Sequence, residues 1–229
     1  MIETDWNEVL AAAARLQELL PDAVLVGDTA ASIHAAHRIS FDDDHVLTDL
    51  RERYDEVLAH LEETDGWATN RVNRPVLILG SLDGIETGVR QLIRRRPLEV
   101  EEIDTPAGLL RVPTLAEIVR VEAWLVLRRN ATRDYLDLVA LSAELGQDAA
   151  AAVALGLDEY YEDQLGSGGR RVATQLAKQL ADPAPYDFSE VDLGTYRKLD
   201  ARWRDWDAVV MSARGIAHQM LNLLAAQGP

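Results

Sequence analysis

The sequence contains no cysteine and very little lysine. A chain without cysteine has neither disulfide bonds nor thiolate metal ligands, so any metal must be held by oxygen or imidazole groups. Oxygen ligands favour hard cations such as magnesium. The only lysines are Lys178 and Lys198, and all other basic residues are arginines. The composition therefore restricts the kind of metal site that this chain can build.

Long apolar runs and a basic N-terminal segment are also missing. The first residues, MIETDWNEV, are acidic, unlike the start of a secretory signal. No uninterrupted apolar run approaches the roughly 20 residues that span a bilayer. We therefore expect a cytoplasmic protein without a membrane partner. Its 229 residues are enough for one or two domains with a substantial core.

Positive charge is scarce, because 23 basic residues face 39 acidic ones and the net charge is −16. Such a charge opposes broad electrostatic binding to nucleic acid. The densest basic run is Arg94, Arg95 and Arg96, which makes it the best candidate for a local contact with an RNA backbone.

Hydrophobic periodicity predicts an α+β fold. Helical spacing covers residues 4–20, a short buried strand covers 23–26, a helix starts at Gly27-Asp28, and a further helix covers 51–63. A strand is expected at 42–47, and strand-like segments fill 67–112 with turn signals between them. We expect these residues to form an α/β domain, 1–113, with a small mixed sheet flanked by helices.

From residue 114 onward the pattern is helical. The capping box 114-TLAE-117 opens a helix to about Arg129, and RDYLDLVALSAELG forms a helix that stops at Gly146. Further helices are expected at 148–165, at 170–182 and, as one or two helices, at 193–226, with a break at the GSGG of 166–169. We therefore expect an α-helical domain at 114–229.

Three consecutive aspartates follow the segment LVGDTAASIHAAHRISF. In a strand, Asp42 and Asp44 share one face while Asp43 points to the other. The pair also lies near a glycine turn and a helix start, whose N–H groups suit a phosphate. Such a pair could hold the divalent ions that bridge a nucleoside triphosphate. The alternative is a solvated acidic turn in an acidic protein.

Two blocks of sequence resemble the AbiEii/AbiGii-type toxin family of the DNA polymerase β-like nucleotidyltransferases. The family pattern Gly-Gly-Thr-Ala, then His-Arg-x-Ser-x-Asp-x-Asp, is matched by Gly27, Thr29, Ala30, His37, Arg38, Ser40, Asp42 and Asp44. The second block, 128-RRNATRDYLDL-138, resembles the family's Arg-x-x-x-Arg-Asp-x-x-Asp motif through Arg129, Arg133, Asp134 and Asp137. The resemblance spans roughly residues 20–145 and implies a nucleotidyltransferase-like N-terminal sheet.

The resemblance implies transfer of a nucleotide from a triphosphate to an acceptor hydroxyl, with Mg²⁺ or Mn²⁺ on Asp42 and Asp44. The acceptor would be an RNA, such as a transfer RNA, or a protein, and a cognate antitoxin would be a partner. Gly27 and Thr29 would contact phosphate, and Arg38 would position motif residues. The nucleotide-binding set implied by the two blocks is Gly27, Thr29, Arg38, Ser40, Arg129, Arg133, Asp134 and Asp137. For the helical pairs among them, ordinary surface ion pairs are the alternative.

Three departures from the family pattern predict weakened activity. Asp28 replaces the second glycine, either as a helix cap or as a competitor of phosphate. Glu122 stands where the pattern leads us to expect a lysine that meets the triphosphate. Gly88 occupies the expected place of a third carboxylate, for which Glu86, two residues earlier on the same strand face, is the candidate substitute and catalytic acid–base group.

Three functions are therefore open. The first is a metal-dependent nucleotidyltransferase of the toxin–antitoxin or phage-defence type. The second is a catalytically degraded nucleotidyltransferase fold that binds a nucleotide or a protein. The third is an acidic, antitoxin-like interaction protein. Magnesium-dependent triphosphate binding separates the first from the other two.

Overall fold

A computed structural model describes residues 5–165 and 171–226, and the predicted break at 166–169 lies outside them. The chain divides into two compact units. To the extent described, the sheet unit comprises Met1–Ala30 and Ile39–Thr114, and the helical unit comprises Ala31–Arg38 and Leu115–Pro229. The sequence prediction had one boundary, after residue 113, and did not separate Ala31–Arg38 from the first domain.

A five-stranded mixed sheet lies at the centre of the sheet unit. Its strands are β1 (Val24–Val26), β2 (Asp42–Leu47), β3 (Trp67–Asn73), β4 (Leu77–Leu82) and β5 (Ile85–Gln91), in the order β1-β2-β5-β4-β3. Strands β2 and β5 are parallel, and the other neighbours are antiparallel. Strands β6 (Val100–Thr105) and β7 (Gly108–Pro113) pair separately as an antiparallel hairpin. The predicted mixed sheet is confirmed.

Two helices pack apolar side chains against this sheet. Helix α1 (Trp6–Leu19) begins with a capping box between Asp5 and Glu8, and α3 (Tyr54–Glu62) carries four buried residues. Full burial of one such aliphatic or aromatic side chain stabilises the fold by about 1.5–3 kcal/mol. A buried cluster in this unit comprises Leu16, Leu20, Ala23, Leu47, Leu50, Tyr54, Val57, Leu58, Leu61, Ile78, Leu82 and Val89.

The helical unit contains six further α-helices among the described residues. They are α4 (Leu115–Arg128), α5 (Thr132–Leu145), α6 (Gln147–Leu155), α7 (Leu157–Tyr160), α8 (Val172–Ala181) and α9 (Trp206–Ala226). Helix α5 stops at Gly146, whose φ of 91° is readily adopted only by glycine. Helix α2 (Gly27–Ala35) contains residues of both units.

Among the described residues, one bent pair of helices has the length and composition to cross a membrane. In the ranges 5–165 and 171–226, no single helix is long and apolar enough to cross a bilayer. Helices α5 and α6 meet that requirement only together, by length and composition, and they are bent by 119°.

Two helix predictions were too long. The helix expected at 148–165 is interrupted at Gly156, and it continues as the short α7 and a 3-10 turn at Glu162–Gln164. The segment 193–205 holds only 3-10 turns, at Leu193–Thr195 and Ala201–Trp203, before α9 begins at Trp206. Asp192 and Asp200 accept hydrogen bonds from backbone N–H groups two residues on, which favours such turns over a continuous helix.

Gly80 provides a test of the sheet packing. A Cβ at this position would lie 2.7 Å from the carbonyl oxygen of Ala68 and 2.5 Å from Cζ2 of Trp67. Because the backbone of Ala68 cannot move without disturbing β3, we expect Gly80→Ala to lower the free energy of unfolding by about 1–3 kcal/mol. Urea unfolding measures the change, and Ser81→Ala is the control. Equal stability of both variants would contradict this packing.

Candidate active site

Strand β2 presents two carboxylates on one face and buries the third. Asp42 is exposed and Asp44 half-buried, whereas Asp43 is completely buried. The alternation follows from the period of two in a β-strand, as the sequence indicated. The two outward carboxylates therefore form the candidate centre of the site.

The start of helix α2 is tied to the first residue of β2. Gly27 has a φ of 67°, and the Thr29 hydroxyl donates a 2.6 Å hydrogen bond to the Asp42 carbonyl oxygen. Thr29 is buried, so its hydroxyl has a structural role between the helix and the strand. Asp28 is the second residue of α2 and lies in its first turn, so it does not occupy the cap position at which it was predicted.

Ser40 holds the Asp42 side chain. Its hydroxyl donates to Oδ1 of Asp42 at 2.6 Å and lies 3.3 Å from the carbonyl oxygen of the same residue. A carboxylate with one oxygen fixed in this way has a restricted rotamer, and its second oxygen keeps its acceptor capacity. Ser40 is thus positioned to orient Asp42.

The parallel pairing of β2 and β5 decides what stands beside each aspartate. Asp42 is in register with Glu86, and Asp44 is in register with Gly88. Because paired residues share a face, the exposed Glu86 side chain projects on the same side as Asp42. Gly88 is therefore opposite Asp44, where the family pattern led us to expect the third acid.

Asp44 is paired with an arginine from β5. Nε of Arg90 lies 3.3 Å from Oδ1 of Asp44, and Nη2 lies 3.4 Å from Oδ2. The guanidinium thus contacts both carboxylate oxygens side by side, in the fork geometry that suits Arg–carboxylate pairs. Sequence reasoning missed this pair, because it did not assign a role to Arg90.

A buried polar cluster lies on the opposite face of β2. The Thr87 hydroxyl donates to Asp43, and Nδ1 of His45 is 3.4 Å from Oδ1 of Asp43. All three side chains are buried. Burial raises the pKa of Asp43, although His45 and Thr87 oppose that change. A substitution of Asp43 is therefore not a suitable control for substitutions of Asp42 or Asp44, because it would leave Thr87 and His45 without a buried partner.

In the helical unit, three motif residues form a buried ion cluster. Nε and Nη2 of Arg38 each donate a 2.8 Å hydrogen bond to Asp137, and Nε2 of His37 lies 2.7 Å from Oδ1 of the same carboxylate. Burial, the largest effect, raises the pKa of Asp137, but the charge of Arg38 and hydrogen bonds from His37 and Arg38 hold it well below its usual range. The cluster fixes the segment before Ile39 to α5.

Two further motif residues, Arg129 and Asp134, are also engaged in local structure. Arg129 pairs with the buried Asp134, which also accepts a 3.0 Å hydrogen bond from the backbone N–H of Ala131 at the start of α5. Arg133 is exposed. Glu122 is buried within α4, so it is not a solvent-facing substitute for a phosphate-binding lysine.

The predicted site residues fall into two groups. The sheet unit contains Gly27, Thr29, Ser40, Asp42, Asp44 and Glu86, and the helical unit contains Arg38, Arg129, Arg133, Asp134 and Asp137. Within the basic run singled out from sequence, Arg95 and Arg96 are exposed, but Arg94 differs from the expectation. Arg94 is buried and donates to the carbonyl oxygens of Arg96 and Pro97, so it stabilises its own loop and is not available to RNA.

The relatives found by sequence match most of this chain, but the matched segment is a small part of their own length. No family model matches the sequence. The chain is 31% identical over 219 residues to the heme uptake protein MmpL11 of Mycobacterium tuberculosis strain H37Rv, which covers 88% of this chain and 21% of that protein. It is 35% identical over 129 residues to MmpL11 of Mycolicibacterium smegmatis, an exporter of mycolic acid-containing lipids, covering 56% of this chain and 13% of that protein. The chain thus spans about a fifth or less of the length of these relatives.

Solved structures share the fold at low sequence identity. A protein from H. pylori assigned as a nucleotidyltransferase superposes with a TM-score of 0.50 and 14% identity, covering 95% of this chain and 98% of that one. The antibiotic-resistance factor ANT(2'')-Ia gives a TM-score of 0.50 and 11% identity, covering 68% of this chain and 96% of that one. The chain therefore has an α+β, nucleotidyltransferase-like fold with C-terminal helices.

Asp137 provides a test of the buried ion cluster. Asp137→Asn leaves Arg38 buried without its counter-charge, so we expect the free energy of unfolding at pH 7 to fall by about 3–5 kcal/mol. Chemical denaturation measures the loss. Glu144→Gln, an exposed change on the same helix, is the matched control and should alter stability by no more than about 0.5 kcal/mol.

The pH dependence of the same variant supplies a second, independent readout. The folded-state pKa of Asp137 lies below the ordinary value of 3.8, so its contribution to stability is present above pH 3.8 and is lost as the pH falls below it. The wild type should therefore lose more stability than Asp137→Asn on acidification through this range. If both proteins lost the same stability between about pH 4 and lower pH, the partners of Asp137 would not be stabilising its ionised form.

Proposed function

We propose that this protein is a metal-dependent nucleotidyltransferase that moves a nucleotide from a nucleoside triphosphate to an acceptor hydroxyl. The observation that carries the proposal is the pair of outward carboxylates, Asp42 and Asp44, on a strand joined to the start of α2 within a nucleotidyltransferase-like fold. In this reaction the acceptor oxygen bonds to the α-phosphorus, and pyrophosphate leaves.

The oxygen donors on β2 fit Mg²⁺ or Mn²⁺. Magnesium in triphosphate sites is bound by one or two carboxylates together with substrate phosphates, so a pair of aspartates is sufficient. The described ranges contain no group of three or more His, Asp or Glu side chains arranged to hold a metal, so the proposed site depends on these two carboxylates and the substrate phosphates. Asp42, oriented by Ser40, and Asp44 would be the protein ligands. A bound divalent cation would neutralise phosphate charge and lower the pKa of the acceptor hydroxyl.

Residues around this pair have separable roles. The first N–H groups of α2 are the candidate contacts for phosphate, and the left-handed backbone of Gly27 leaves the space beside it open. Glu86, next to Asp42 in register, is the candidate general base for the acceptor hydroxyl. Gly88 and Asp28 reduce the efficiency of the reaction, because one removes a carboxylate and the other places a negative charge in the first turn of α2.

The acceptor and the biological role belong to the same proposal. Resemblance to AbiEii/AbiGii-type toxins supports an RNA acceptor, such as a transfer RNA, or a protein acceptor, and regulation by a cognate antitoxin. The net charge of −16 favours a small or locally docked acceptor over a long nucleic acid.

A second candidate function follows from the relatives. Because 88% of this chain matches a fifth of a mycobacterial protein named for heme uptake, a similar sequence is part of a longer protein named for that uptake. In this alternative the chain is a nucleotide- or protein-binding module associated with transport, and it performs no transfer. Gly88 at the position expected for the third acid favours it.

Calorimetric titration with Mg²⁺ and each triphosphate, followed by transfer of label from α-labelled nucleotides to RNA and protein, tests the proposal. We expect metal-dependent binding that Asp42→Asn weakens at least about tenfold, since even changes beyond the direct ligands of a metal cost that much. Asp104→Asn, an exposed change on the β6–β7 hairpin, is the control. Binding without transfer would favour the module, and no metal-dependent binding would refute both the metal site and the enzyme.

A further inference from the structure

Arg90 is the cation that the sheet unit itself places at Asp44. The two side chains come from adjacent parallel strands, and Arg90 follows Gly88, the register partner of Asp44, by two positions on β5. Both guanidinium-to-carboxylate distances, 3.3 and 3.4 Å, involve different oxygens of Asp44. Both carboxylate oxygens of Asp44, which would otherwise be available to a metal ion, are thus in contact with Arg90.

Gly88 makes this pairing possible. A Cβ at Gly88 would lie 2.9 Å from Oδ1 of Asp44 and 2.6 Å from Cδ2 of Leu79. The Asp44 carboxylate therefore lies directly over the glycine, in space that any larger residue would occupy, and reaches across it to Arg90. The glycine that stands in place of the third acid is consequently also what gives Asp44 the space to pair with Arg90.

We propose that the Arg90 guanidinium competes with a divalent cation for the Asp44 carboxylate. The proposal rests on the function proposed above, and it assigns Arg90 as a positioning residue that regulates metal occupancy. In the cation-free protein Arg90 neutralises Asp44, which limits repulsion among Asp42, Asp44 and Glu86 on one face. A cation that takes both aspartates as ligands must displace the guanidinium.

The exchange is feasible because the pair is accessible to solvent. The side chains of Arg90 and Asp44 are 44% and 32% exposed, so a released guanidinium can be hydrated without unfolding its surroundings. Exposed ion pairs of this kind shift an equilibrium constant by about fivefold or less. Arg90 should therefore lower metal affinity measurably without abolishing it.

Titration of the full chain with Mn²⁺, followed by electron paramagnetic resonance of the free ion, tests the competition without any enzymatic assay. We expect Arg90→Gln to bind Mn²⁺ more tightly than the wild type, by up to about fivefold. Arg71→Gln is the charge-matched control. Its register partner is Leu79, so Arg71 is on the same face of the sheet but three strands from β2, roughly 14 Å away. At that distance, beyond the Debye length of about 8 Å at physiological salt, its affinity should equal that of the wild type.

The outcomes separate this inference from the proposed function. Equal Mn²⁺ affinities of the wild type and Arg90→Gln, both abolished by Asp42→Asn, would overturn the competition while leaving the metal site in place. No binding by any variant would overturn the metal site and the competition with it. An equal gain in Arg90→Gln and Arg71→Gln would show a general charge effect and would also overturn the specific role of Arg90. Thermal melting of each variant confirms that the fold is retained.

Discussion

The parallel, in-register pairing of β2 with β5 is the constraint on which the candidate site depends. It places Asp42 beside Glu86 and Asp44 beside Gly88, and it turns all four positions to one face. The same pairing directs Asp43, His45 and Thr87 to the buried face. A shift of one residue in this register would bury Asp42 and Asp44 and expose Asp43, His45 and Leu47.

Three adjacent aspartates can coexist in β2 because each has a different environment. Asp42 accepts from Ser40, Asp44 contacts Arg90, and Asp43 is buried beside Thr87 and His45. Burial raises the pKa of Asp43, which favours its neutral form and reduces repulsion along the strand. The helical unit, by contrast, buries two opposite charges, those of Arg38 and Asp137, as a pair.

Local periodicity was enough to predict the strands, several of the helices and the exposed aspartate pair. The strand at 42–47, the glycine stop at Gly146 and the mixed sheet all follow from patterns within a few residues. Motif resemblance selected Arg38 and Asp137, which lie 99 residues apart, but only the structure shows that they contact each other.

Interactions across strands or within irregular loops could not be predicted in the same way. The Asp44–Arg90 pair joins residues 46 positions apart and depends on the strand register, which the sequence does not state. Arg94 was predicted to be part of a basic patch for an RNA backbone, yet its guanidinium donates to the carbonyl oxygens of Arg96 and Pro97. The segment 193–205 has helical composition, but aspartate-capped turns replace the helix there.

The central claim is that the outward face of β2 binds a divalent cation. Paramagnetic broadening of backbone amide signals by Mn²⁺, recorded on the isotopically labelled chain, locates the cation directly. We expect selective broadening at residues 42–46 and 86–90, with little effect on the β6–β7 hairpin, although that hairpin carries exposed acidic residues as well. Uniform broadening over all acidic surfaces, or broadening centred on the hairpin, would contradict it.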